Sequence, residues 1–114
     1  MAKVKEALER RRRKQRVLVV DDDANIRSTL ARMLTMAGYE AVLAADGDEA
    51  TRLWRERPAD LVIALSSGAA GINLDLPDAK LLAATVTIEK PFMPAEVMQL
   101  VDAALLGSRK RGRV

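Results

Sequence analysis

Val17-Leu18-Val19-Val20-Asp21-Asp22-Asp23 decides how this chain is read: four apolar residues run straight into three acids. An unbroken Val/Leu run suits a parallel strand covered on both faces. Carboxylates gathered at the C-terminal mouth of such a strand repel one another unless water, a cation or a basic side chain shares the site. Capping and dipole interactions at the start of a following helix account for one or two of the acids. Three in succession exceed that need, so the stretch predicts a strand that carries a site. Lys90, in Ile88-Glu89-Lys90-Pro91-Phe92, is a candidate basic partner.

Outward from this strand, either Asp23 or Asn25 can cap a helix. Ile26, Leu30, Met33, Leu34 and Ala37 form its apolar stripe, and Gly38 takes the C′ position. Residues 39–45 read as a second strand. Asp46-Gly47 turns the chain into a helix that directs Ala50, Leu53 and Trp54 inward and stops at Pro58. Leu61 to Leu65 is a third buried strand. Residues 66–76 contain two glycines, Gly68 and Gly71, and no clear period, which predicts a loop. A short helix over 77–83 and a strand at Val86-Thr87-Ile88 follow. A closing helix starts at Pro94, carries Val97, Leu100, Val101, Ala104 and Leu105 on one face, and ends at Gly107. Alternation of this kind implies an α/β fold, a parallel sheet wrapped by helices with its site at the C-terminal ends of the strands.

Composition narrows the chemistry. A chain of 114 residues, 49% apolar, supports one domain, and with one Trp, one Tyr and one Phe its core must be aliphatic. The absence of Cys and His rules out disulfides, thiolate metal sites, imidazole bases and phosphohistidine. No apolar stretch is long enough for a membrane span, and no signal-peptide core follows the basic N-terminus, so a cytoplasmic location is expected. The net charge of +3 hides a segregation. Residues 1–16 hold eight Lys or Arg against two Glu, a net +6, and read as a basic arm or frayed helix. Residues 107–114 hold four basic residues and no acid and read as a basic tail; the body, 17–106, is left at −7.

Val17 to Asp23 with Asn25-Ile26-Arg27, then Ala45-Asp46-Gly47-Asp48-Glu49-Ala50, Pro58 to Ile63, and Lys90-Pro91-Phe92 together resemble the CheY-like receiver domain of bacterial response regulators. The resemblance covers about residues 16–106. It implies a flavodoxin-like doubly wound sheet and a role in two-component phosphorelay signalling. It also implies that Asp21 and Asp22 are the family's Mg²⁺-binding acids, that Lys90 is its lysine, and that a cis bond precedes Pro91. The family's phosphoacceptor Asp does not carry over, because its place, counted from Asp60, falls on Leu65. On a shifted alignment Asp60–Ile63 starts the third strand, while residues 63–68 match the fourth strand and its loop, which puts Ser66 at the family's Ser/Thr position. About 30 residues, one strand-helix unit, are then missing. Thr87 stands where the family often has a switch aromatic.

A shortened receiver predicts a four-stranded sheet in the order 2-1-3-4, with apolar surface left for self-association as a homodimer. The expected function is a degenerate receiver that is not an enzyme and has no phosphoacceptor, binds Mg²⁺ weakly at most, and engages a histidine kinase or a downstream target. Two other classes compete. Asp21-x-Asp23 resembles the nucleophile and acid of haloacid dehalogenase-type phosphatases, but Asn25 replaces the expected Thr or Val, and Asp75-Leu76-Pro77-Asp78 is a poor late metal site. The basic ends suggest a nucleic-acid binder, although no aromatic residue interleaves them and the acidic body opposes approach.

Overall fold

The computed structural model describes residues 14–66 and 79–111. The basic arm over 1–13 and most of the predicted loop lie outside the described residues. Four strands, β1 (Arg16–Val20), β2 (Glu40–Ala44), β3 (Leu61–Ser66) and β4 (Thr85–Glu89), form one parallel sheet in the order β2-β1-β3-β4. Helices α1 (Ala24–Met36), α2 (Gly47–Glu56), α3 (Ala79–Ala83) and α4 (Pro94–Arg111) alternate with them. This is the four-stranded, flavodoxin-like arrangement expected from the sequence. β3 pairs with β1 along one edge, Val17↔Leu61 to Val20↔Ala64, and with β4 along the other, Val62↔Thr85 to Ser66↔Glu89.

The pleat divides the core in two, because successive strand residues point to opposite faces. Val17, Val19, Leu61, Ile63 and Leu65 meet Leu30 and Leu34 of α1 and Val97, Val101 and Leu105 of α4. On the other face Leu18, Val20, Val62 and Ala64 meet Ala50 and Trp54 of α2 and Leu81 of α3. β1 is buried on both faces from Val17 to Val20, which explains why these four residues are all apolar.

Local chemistry bounds α1 and starts α2 where it was expected to. Asp23, not Asn25, caps α1: its carboxylate accepts from the N–H groups of Asn25 (2.8 Å) and Ile26 (3.3 Å). At the far end Gly38, at φ +94°, closes a Schellman motif in which the Tyr39 N–H reaches the Leu34 carbonyl at 2.9 Å. Asp46 caps α2 through the Glu49 N–H, while the Glu49 carboxylate accepts from Ala45 N–H at 2.9 Å.

Three expectations are corrected. α4 does not stop at Gly107 but runs on to Arg111, so the basic tail begins as helix. One glycine inside a helix costs about 1 kcal/mol, too little to end a helix already anchored by packing. Leu100 and Ala104 are exposed, because the i, i+4 line Val97, Val101, Leu105, with Met98 beside it, is what faces the core. Ser66 closes β3 and does not open the loop.

Candidate functional site

The acids and the lysine meet at the C-terminal rim of the sheet. Asp21 follows β1 directly, and its N–H continues the ladder to the Ala44 carbonyl at 3.0 Å, which fixes the backbone from which its carboxylate projects. That carboxylate is buried, 1% exposed for the residue as a whole. Lys90 follows β4, and its Nζ lies 2.8 Å from Asp21 Oδ1 and 3.9 Å from Asp22 Oδ1. The Asp23 N–H also donates to Asp21 Oδ1, at 3.2 Å. The Lys90–Pro91 peptide bond is cis, as the resemblance implied.

The three acids are therefore not equivalent. Asp21 holds the ammonium, Asp23 is committed to the α1 cap, and the Asp22 side chain is 91% exposed. Capping thus accounts for one of the three. Arg27, to which the sequence reading gave no separate role, donates from Nη1 to the Asp21 carbonyl at 2.7 Å. Its signal was positional: one turn into a helix capped by Asp23, a long cation can fold back over the rim.

Across the sheet, the β1·β3 register ends at Val20↔Ala64, so Leu65 occupies the row beside Asp21. Its side chain is buried in the α1/α4 core and brings no oxygen to the rim. Ser66 pairs with Glu89 at the end of β3, one residue before Lys90, which brings its backbone to the same rim. Thr87 is exposed on the edge strand. Beside Lys90, an apolar groove of about 460 Å³ opens between the first half of α1 and the loop after β4, lined by Ile26, Thr29, Leu30, Pro91 and Phe92.

The fit to a divalent cation is partial. Asp21 Oδ2 is buried without a hydrogen-bond partner, and an oxygen in that state is suited to a cation. The rest of the set falls short: Asp21 Oδ1 is taken by Lys90, Leu65 supplies nothing, and among the described residues no three acidic side chains group as metal ligands. Mg²⁺ demands near-octahedral oxygen coordination, and here Asp21 and Asp22 are the carboxylates of the acidic run not committed to a helix cap. The residues do not fit a strong Mg²⁺ site.

This rim, with an acid ending β1 and a lysine after the last described strand of a parallel α/β sheet, resembles the arrangement that the receiver resemblance implied. The sequence profile of the response regulator receiver domain matches residues 17–66. Among curated proteins, the chain is 48% identical over 50 residues to the probable transcriptional regulator ycf27 of Guillardia theta, covering 44% of this chain and 20% of that protein. It is 44% identical over 48 residues to the transcriptional regulatory protein PrrA of Mycobacterium bovis, covering 42% and 21%. The chain thus spans about a fifth of the length of these relatives. Among solved structures, the receiver domain of the hybrid histidine kinase CckA aligns at TM-score 0.60 and 25% identity, over 79% of this chain and 98% of that one. The chemotaxis response regulator CheY4 of Vibrio cholerae shares the fold at TM-score 0.65 and 21% identity, over 81% and 99%. Residues 17–66 are thus similar in sequence to the response regulator receiver domain, and the described body shares the fold of solved receivers. Receivers of this family are signalling modules, and the comparisons do not favour the phosphatase reading.

Proposed function

We propose that this chain is a degenerate receiver of a two-component pathway, one that works by protein-protein contact and takes no phosphoryl group at the family position. The supporting observation is Leu65, buried in the aliphatic core in the row beside Asp21, where the family reading places the acceptor. A phosphoryl transfer needs a nucleophilic oxygen in line with the donor, and a leucine side chain has none. In place of that chemistry, Lys90 neutralises Asp21 and ties the edge strand β4 to the central strand β1.

On this reading Mg²⁺ binds weakly, through Asp21 and the exposed Asp22, and the partners are a histidine kinase or a downstream target in the cytoplasm. Homodimer formation is part of the same proposal. Val86, Ile88, Leu100 and Ala104 line an apolar groove between β4 and α4, on a sheet edge that pairs with no described strand.

Intact-mass spectrometry after treatment with acetyl phosphate and Mg²⁺ tests the central point. The expected result is an unchanged mass. Stoichiometric phosphoryl incorporation that is lost in Asp22→Asn would show that a rim acid has taken over as acceptor and would end the proposal.

A further inference from the structure

Among the described strands, β4 has the barer outer edge. Thr87 and Glu89 are exposed, whereas β2 at the opposite edge has no exposed residue. Natural edges are blunted by lysine, proline or a bulge, because a bare row of N–H and C=O groups templates another strand. Thr85-Val86-Thr87-Ile88-Glu89 has none of these in its unbroken register with β3. Four of its five residues are β-branched, its one charge stands at the end, and proline comes only at Pro91.

The backbone decides how that edge can pair. The Ala84 carbonyl accepts the Val62 N–H at 2.9 Å, and successive strand residues turn their backbone groups to opposite sides. Val86 and Ile88 therefore address β3 as Ala84 does, while Thr85, Thr87 and Glu89 aim N–H and C=O outward. A two-fold axis at Thr87 sets Thr87 against its own copy and Thr85 against Glu89 on both sides, so every outward group of the five residues is used. Moving the axis by one residue sets Thr85 against Pro91, which has no N–H, or Glu89 against Ala83, which is helical.

Charge and side chains agree with that register. The Glu89 residues of two copies stand about 13 Å apart, four residues at roughly 3.3 Å, beyond the Debye length of about 8 Å. Val86 and Ile88 point to the α1/α4 face, and across the joint each falls opposite the other, apolar against apolar. Beside them a groove of about 290 Å³ runs between β4 and α4, walled by Leu100, Ala103 and Ala104, with Leu100 47% exposed. An axis perpendicular to the sheet keeps both α4 helices on one face. The groove of each copy then meets the uncharged Leu100, Ala103 and Ala104 side of the other.

We propose that the occupant of this edge is a second copy of the chain: β4 joins β4 antiparallel about Thr87, and the two sheets become one, with the α4 helices side by side over the seam. This rests on the homodimer proposed above and names its contact; it does not depend on the loss of the acceptor. Standard interfaces use about 20–30 residues a side, and five strand residues with one helix face are fewer, so the dimer is weak and concentration-dependent.

The chain lacks Cys, which makes single-cysteine cross-linking a direct test. Facing residues of a hydrogen-bonded antiparallel pair lie about 5.5 Å apart at Cα, within disulfide reach. Thr87→Cys should oxidise to a covalent dimer, while Thr85→Cys, whose two copies lie about 13 Å apart, should not. Sedimentation of the full chain over a concentration series should show a reversible monomer–dimer equilibrium. Thr87→Pro removes an outward N–H that β3 does not use, so it should weaken the dimer about tenfold or more with an unchanged circular dichroism spectrum. Leu100→Glu should weaken it similarly by facing like charges across the seam, and Met36→Glu on α1, at a residue 82% exposed, should not. A monomer at all concentrations, equal cross-linking of the two cysteine variants, or undiminished association of Thr87→Pro overturns the proposal. So does a Thr87 amide protected from hydrogen exchange in the monomer, which would mean that the chain covers its own edge. Any of these results beside an unchanged mass after phosphodonor treatment removes this contact and leaves the degenerate receiver standing.

Discussion

β1 and β4 deliver the two halves of one ion pair from opposite situations. β1 is central, paired on both sides, and its residues 17–20 are essentially inaccessible to water. β4 is the edge strand among those described, and none of its five residues is fully buried. The acid at the end of β1 therefore follows a strand held on both sides, whereas the lysine follows a strand paired on one side only. A site split in this way has one rigid wall and one that depends on a neighbour, and the weaker wall sits where a partner can reach it.

The largest difference between the two strands should appear in the core. Leu18→Ala should cost about 3–4 kcal/mol, since it removes a fully buried side chain from a close-packed face. Ile88→Ala on β4 should cost no more than about half as much, because Ile88 is only partly covered. Urea unfolding of both variants measures the gap, and equal losses would mean that β4 is as deeply held as β1.

The ion pair comes next. Lys90→Met should destabilise the protein by about 3 kcal/mol, because it leaves the Asp21 carboxylate buried and unpaired. Adding Asp21→Asn should recover part of that loss. Additive losses in the double-mutant cycle would show that the two groups do not depend on one another.

The smallest effect is local to the β1 side of the rim. Asp23→Ala should cost about 1 kcal/mol by removing the α1 cap, without loosening β4. Hydrogen exchange that accelerates across Thr85–Glu89 in this variant would show that the two walls are coupled through α1.

Much of this was legible in the chain because it is governed by short-range rules. The Val/Leu run of β1 suits a strand buried on two faces, and it is one. Gly38 and Asp46 marked helix boundaries through backbone chemistry that operates within four residues. Even the strand order followed from right-handed crossovers applied to four strands. α4 was read less well at both its face and its end. Leu100 and Ala104 look like core residues on a helical wheel, but how wide a stripe is covered depends on how much sheet lies beneath the helix. Gly107 looks like a stop signal, and packing upstream of it overrode a penalty of about 1 kcal/mol.

At the site, the sequence by itself determined that acids end the first strand and that a lysine follows the last, because residue types and their order along an alternating chain are local facts. Only the tertiary structure decided which acid does what: Asp21 pairs with Lys90, Asp23 caps α1 and Asp22 stands in solvent. Three neighbouring carboxylates are chemically alike until the fold buries one, aims one along a helix and leaves one exposed.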